Sequence, residues 1–209
     1  LMYKVIIPNN KYTDAMKAME EQDYAAAYSI FLELDDYKDS KTKLGEIQQN
    51  LLTTAQIGDT VYFGSYEQDN DTSNGKELIE WIVLDKQEDK VLVISNECLD
   101  SQPYDTGFEE VTWETCFLRK WLNTTFLQEA FSSEQQDLIP SVTLANTSNS
   151  EDKVGSDTTD QIFLFDVDEA NQYLPSNEER QAKATDYARA QGAYVNNTND
   201  NSCWWLRSP

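Results

Sequence analysis

Histidine is missing from all 209 positions. Without an imidazole the chain has no Ser-His-Asp or Cys-His machinery, no His-ligated zinc, and no side chain whose ordinary pKa lies near neutrality. Cysteine is scarce. Cys98, Cys116 and Cys203 are widely spaced and odd in number, which fits neither a CxxC metal site nor a disulfide framework. Their isolation predicts three small buried apolar residues. Basic residues are short as well, 16 against 38 acidic, for a formal net charge of -22. The imbalance is uneven: residues 1–56 hold 6 basic and 9 acidic groups, residues 57–209 hold 10 and 29. A surface this acidic repels phosphate backbones and anionic headgroups, which argues against nucleic acid as a partner. No run approaches the roughly 20 apolar residues that span a bilayer. No cofactor motif is present, so no cofactor is expected.

What is there begins with helix. The opening "LMYKVIIPNN" runs Val5, Ile6 and Ile7 into Pro8, as a short strand or the edge of something longer. From Lys11 to Gln56 there is no proline, and Gly45 is the single glycine. Ala15, Met16 and Met19 make one apolar stripe; Tyr24, Ala27, Tyr28 and Phe31 make a second at helical spacing. Asp23 stands where an N-cap belongs. Leu44, Ile47 and Leu51 line a third helix. Small residues at Ala15 and Ala27 beside the aromatics Tyr24 and Phe31 suit a closely packed antiparallel hairpin resembling a tetratricopeptide unit. One and a half such units are too few for a solenoid groove, which takes about three, so residues 1–56 read as a spacer.

Residues 57–209 read as a separate acidic α+β domain. "TVYFGSYEQ" alternates Val61, Phe63 and Ser65 against Tyr62, Gly64 and Tyr66; Ile79–Asp85 and Lys90–Ser95 form a hairpin. The intervening "DNDTSNGKE" turns at Asn74-Gly75, and its Asp69, Asp71 and Ser73 carry part of a calcium-loop spacing. The glycine and terminal glutamate of such a loop are absent, so Asp69 and Asp71 are weak metal candidates and a solvated loop is the plainer reading. Trp113, Cys116, Phe117, Lys120 and Trp121 follow helical spacing; Arg119 and Lys120 sit among carboxylates as ion-pair partners. Ser132 or Ser133 caps a further helix. "ANTSNSEDKVGSDTTD" reads as loop and "QIFLFD" as a buried strand. Asp166 or Asp168 opens a short helix. With Glu169 they suggest a metal site or a glycosidase carboxylate pair, although carboxylates at a helix start are ordinarily caps.

The final "SCWWLRSP" reads as a central strand, with Trp204 and Trp205 on opposite faces. It is expected to pair with Ile162–Phe165 or Val91–Ile94. Arg207 is expected to meet a carboxylate or an aromatic ring, charged hydrogen bonding being favoured in so acidic a domain.

The blocks "IEWIVLD", "TWETCFLRKWLN", "FLQEAFSSEQQDLI", "FLFDVDEANQYL" and "WWLRSP" resemble a bacterial domain family of unknown function, number 6273, common in gut Firmicutes. The resemblance runs from about Gly58 to Pro209. More distantly, the domain is similar to C-type-lectin-like folds. The front end is similar to helical segments that precede this domain and commonly follow a transmembrane helix. The resemblance implies an anchor upstream of Leu1, a location outside the cytoplasm, and further strands beyond Pro209. It transfers no catalytic residue. A formylglycine-generating chemistry needs a cysteine pair that Cys203 lacks. The expectation is therefore a non-catalytic, surface-displayed binding or adhesion module for a carbohydrate, peptide or cell-wall ligand, with Trp204, Trp205, Arg207 and Arg119 as weak candidate contacts. The alternatives are a structural envelope protein and a carboxylate-dependent glycosidase.

Overall fold

Gln22, in the left-handed region at φ 61°, breaks the chain between its first two helices, α1 (Tyr3–Glu20) and α2 (Tyr24–Leu34). The Asp23 carboxylate then accepts from the Ala26 N–H at 3.1 Å, so the expected N-cap is in place. The opening residues are helical rather than extended: α1 takes in Val5–Ile7 with Pro8 inside it, one ladder bond short. This computed structural model describes residues 3–34, 36–107, 109–146 and 155–207. They fall into two compact units, Leu1–Tyr62 with Trp81–Ile94, and Phe63–Glu80 with Ser95–Pro209.

In the first unit, Ala15, Ala27 and Phe31 are fully buried and Tyr28 nearly so, while Tyr24 and Met19 are half-buried. Tyr12 meets Phe31 edge-on at 5.6 Å, a geometry aromatic rings favour. A third helix, α3 (Ser40–Thr54), brings in Ile47, and its Gln48 amide donates to the buried Tyr28 hydroxyl at 2.6 Å. Leu44 is half-buried; the Leu51 side chain lies outside the described residues. The Lys86 amine donates to the Thr53 and Ala55 carbonyls at 3.0 and 2.9 Å, placing a cation at the negative end of α3.

A three-stranded sheet has the order β1 (Thr60–Tyr66), β2 (Glu77–Gln87), β3 (Lys90–Ser95). In β2, Ile79, Trp81 and Val83 are buried in strict alternation. In β1 the alternation slips: Val61 and Phe63 are buried, then Gly64 and Tyr66. Gly64 sits at φ 73°. A Cβ there would lie 2.5 Å from the Phe131 ring and 2.7 Å from the Ala130 carbonyl oxygen. Gly64→Ala is expected to cost about 2–3 kcal/mol, from the left-handed backbone and the overpacking together. A urea midpoint equal to that of the parent would show that Phe131 yields freely.

The second unit is built around α4 (Phe117–Trp121), a π-helical turn (Leu122–Phe126), α5 (Leu127–Ala130) and α6 (Ser133–Leu138). Leu118, Leu122, Phe126 and Leu127 face its core, with Trp113, Phe131, Phe165 and Leu174. Trp113 precedes the helix rather than lying on it: Cys116 is the N-cap, its sulfur accepting from the Arg119 N–H at 3.4 Å. Ser132, not Ser133, caps α6 in a capping box with Gln135. The strands β4 (Val142–Leu144) and β5 (Thr158–Asp160) pair antiparallel with Thr143 opposite Thr159. The expected loop over 145–160 is thus strand at its end, and 147–154 lie outside the described residues. Two short helices follow, α7 (Val167–Tyr173) and α8 (Asp186–Ala190). The architecture is α+β. Cys116 is buried, but Cys98 is half-buried and Cys203 exposed, all three as free thiols, which corrects the expectation of three buried sulfurs.

Two expected strands are absent. "QIFLFD" is irregular backbone because side chains satisfy it. The Asn123 amide oxygen accepts from the N–H groups of Gln161 and Ile162 at 2.8 and 3.1 Å, and its nitrogen donates to the Ile162 carbonyl at 2.8 Å. Residues 203–206 of "SCWWLRSP" are likewise outside any strand. Single bridges join Val195 to Ser202 and Lys183 to Asn201. The Arg207 N–H donates to the Phe165 carbonyl at 2.8 Å. That is one contact with the expected neighbour, and it is no ladder.

Candidate functional site

Three clusters of polar and aromatic side chains stand out in the second unit. The first forms where the start of α4 meets β5. Arg119 Nε donates to Asp160 Oδ1 at 2.7 Å, and its terminal nitrogens reach the Glu114 and Thr159 carbonyls at 3.0 and 3.4 Å. Asp160, buried, also accepts from the Trp113 indole at 3.0 Å and the Thr158 hydroxyl at 2.8 Å. A buried carboxylate is tolerated because charge and hydrogen bonds both reach it. Asn123, set in the π-helical turn, also donates to the Arg119 carbonyl at 3.1 Å, which ties this cluster to residues 161–162.

The second cluster is centred on Arg207, 5% exposed. Its guanidinium donates to Asp166 Oδ2 at 2.8 Å, to Glu169 Oε2, and to the Leu164 carbonyl at 3.1 Å. Weaker contacts reach Asn146 and the Ala145 carbonyl at 3.4 and 3.5 Å. Asp166 and Glu169 are simultaneously the capping box of α7, each accepting from the other's N–H, at 2.7 and 3.0 Å. Asp168 is exposed. Around the arginine the chain is held by indoles. Trp204 is half-buried, its N–H on the Arg180 carbonyl at 3.1 Å; the Trp205 N–H donates to the Gln102 carbonyl at 3.2 Å. Trp205 remains 53% exposed. Its ring is tilted against Tyr104 at 5.7 Å, and the Tyr104 hydroxyl donates to the Arg207 carbonyl at 3.1 Å. Burial raises the Tyr104 phenol above its ordinary pKa, with Cys116 adding to it, so the hydroxyl stays a donor.

The third cluster joins the loop after β1 to the first residue of β2. Carboxylate oxygens of Glu67, Asp69 and Glu77 fall within 4.8 Å of one another. Glu67 is 7% exposed, and burial, then the charges of Glu77 and Asp69, raise its carboxyl above the usual range. Asp69 is held low, first by the Asn74 amide and then by the Asp71 N–H. Asp71 is not one of the three: its carboxylate accepts from the Ser73 hydroxyl and N–H at 2.6 and 3.1 Å. The expected pairing of Asp69 with Asp71 is therefore replaced by one with Glu67 and Glu77.

The model of the family described as Domain of unknown function (DUF6273) matches residues 88–209. The chain belongs to this family. No curated protein and no solved structure matches it. The DUF6273 span takes in both arginine clusters and the Trp205 surface, while Glu67, Asp69, Asp71 and Glu77 precede it. Within the span, Arg207 and Trp205 are brought together through the backbone they share and through Tyr104, whereas Arg119 belongs to the β5 cluster. Asn123 was not marked by sequence reasoning. Its signal was a polar residue in "KWLNTTF", inside an otherwise apolar helical run. Glu67 carried none, being one carboxylate among many. Among the described residues no helix is long and apolar enough to cross a membrane.

Proposed function

We propose that this chain is a non-catalytic binding module of the bacterial surface, whose DUF6273 domain presents Trp205 to carbohydrate of the cell wall. The observation that carries the reading is an aromatic ring at once exposed and fixed. Trp205 is 53% exposed, yet its N–H is held by Gln102 and its ring is backed by Tyr104. A rigid aromatic face offers apolar contact area to the C–H face of a sugar with little ordering entropy to lose on binding. The donors of Arg207 and Arg119 are committed to carboxylates and carbonyls, so the ligand contact falls to Trp205 rather than to them. Of the carboxylates a glycosidase reading draws on, Asp166 and Glu169 are tied to a helix cap and to Arg207, which supports a binding rather than a hydrolytic role.

In this reading the domain is C-type-lectin-like, the tetratricopeptide-like helices of residues 1–56 serve as a spacer, and an upstream anchor holds the protein outside the cytoplasm. The test is a glycan and cell-wall-fragment array with the parent and Trp205→Ala. Binding is expected to fall at least about tenfold, the loss typical of an aromatic anchor, with stability lowered by less than about 1 kcal/mol because the ring is half in water. Equal binding by both proteins overturns the platform. Binding to peptides alone redirects it, and an array without hits favours the structural envelope role.

A further inference from the structure

We propose that Glu67, Asp69 and Glu77 bind a divalent cation of the calcium class where the loop after β1 meets the first residue of β2. Three residues offer one ligand oxygen each, all within 4.8 Å of one another, a spacing that a single ion at ordinary metal–oxygen distances can span. Glu67 Oε1 supplies an independent sign. It is buried and has no hydrogen-bond partner, on a residue that is nine-tenths out of water. An orphaned buried carboxylate oxygen costs stability unless something positive meets it. No lysine or arginine does so: among the described residues none pairs with these three carboxylates, and the adjacent Lys76 instead donates to the Glu129 carbonyl at 2.6 Å.

The remaining oxygens are held in place. Glu77 Oε2 accepts from the Gln68 N–H at 2.7 Å and from the Asp69 N–H at 3.4 Å. Asp69 accepts from the Asp71 N–H at 2.8 Å through one oxygen and from the Asn74 amide at 2.7 Å through the other. Such contacts orient ligands while leaving lone pairs free for a metal. The donor set is oxygen throughout, with no nitrogen or sulfur, which selects a hard ion over zinc or copper. Calcium accepts irregular, partly bidentate, partly hydrated coordination and sheds its waters readily, whereas magnesium dehydrates reluctantly and keeps several waters, so a site of three carboxylates favours the larger ion. Asp69 is exposed and Glu77 half-exposed, so the affinity expected is that of a weak extracellular module, a Kd on the order of 10⁻⁴ M. The inference is independent of the Trp205 surface.

The test is calorimetric titration of the chelator-treated full chain with calcium chloride, repeated with magnesium and with two variants. The parent is expected to show one saturable site and a Tm that rises with calcium. Glu67→Gln removes the buried carboxylate while keeping its shape; it is expected to fold and to lose at least about tenfold in affinity, since a charged ligand is gone. Asp71→Asn, outside the cluster, is expected to stay within about twofold of the parent. No saturable heat by about 10 mM calcium, roughly a hundredfold above the expected Kd, overturns the proposal. So does magnesium binding as tightly as calcium, or an equal loss in both variants, since either reports general screening of an acidic surface.

Discussion

Arg207→Ala is expected to lower folding stability by about 3–4 kcal/mol, measured as a fall in the urea midpoint at unchanged slope. The arginine side chain is almost fully buried and joins two carboxylates that both belong to the α7 cap. Removing it leaves Asp166 and Glu169 side by side with no cation, together with a Leu164 carbonyl that loses its donor. Breaking one partner of a buried ion pair costs about 3–5 kcal/mol because the remaining charge is stranded. The lower part of that range applies, since the Glu169 side chain is 26% exposed and water reaches it. Lysine is a poor replacement. A single ammonium cannot divide its donors between two carboxylates and a carbonyl in the planar fork that guanidinium provides, so Arg207→Lys is expected to recover less than half of the loss. Asp166→Asn, which keeps a cap and leaves Glu169 on the arginine, is expected to cost about 1 kcal/mol. An Arg207→Ala variant within 1 kcal/mol of the parent would show that the cluster contributes geometry without stability.

The same residues show where reading the sequence succeeds and where it stops. From Lys11 onward the three helices were legible because their apolar spacing and their cap at Asp23 agree, and local signals that agree specify local structure; the turns of α1 around Pro8 were not, since proline reads as a helix breaker. The hairpin of β2 and β3 was legible for the same reason: alternating apolar residues around a short polar turn. At the C-terminal side the apolar patterns were real but their meaning was not local. "QIFLFD" and "CWWLR" have the composition of strands. The backbone groups of the first, however, are met by Asn123 and Arg207, and the second is held by its own indoles, which donate to the Arg180 and Gln102 carbonyls up to 103 positions away in sequence. Periodicity reports which residues avoid water; it does not report which partner satisfies the backbone. The slip in β1 at Gly64 likewise follows from the close approach of Phe131, a contact no window of sequence contains.

The candidate sites divide in the same way. That Arg207 would meet carboxylates followed from the surplus of acid, and the structure supplies Asp166 and Glu169. That Asp69 would join Glu67 and Glu77 rather than Asp71 did not follow, because the spacing of a loop does not fix which way its side chains turn. Asp71 forms a local turn with Ser73, the common habit of aspartate in loops, and its carboxylate is engaged there.

Phe31→Ala is expected to be the most costly change in the helical unit, about 3–5 kcal/mol. The ring is fully buried between α1 and α2, where Ala15 and Ala27 let the helices come close. It carries an edge-on contact from Tyr12 at 5.6 Å. Truncation of a fully buried ring leaves a cavity that its surroundings close only in part, and the Tyr12 ring loses its partner. Phe31→Leu keeps most of the volume and is expected to cost less than about 1.5 kcal/mol. Leu32→Ala is the control, since the neighbouring side chain is 41% exposed and its loss is expected to stay near 0.5 kcal/mol. Ellipticity at 222 nm during urea unfolding reads the three variants on the helices themselves. A Phe31→Ala transition no lower than that of Leu32→Ala would mean that the two helices are held by their backbones and small residues alone, and the hairpin would then owe nothing to its central ring.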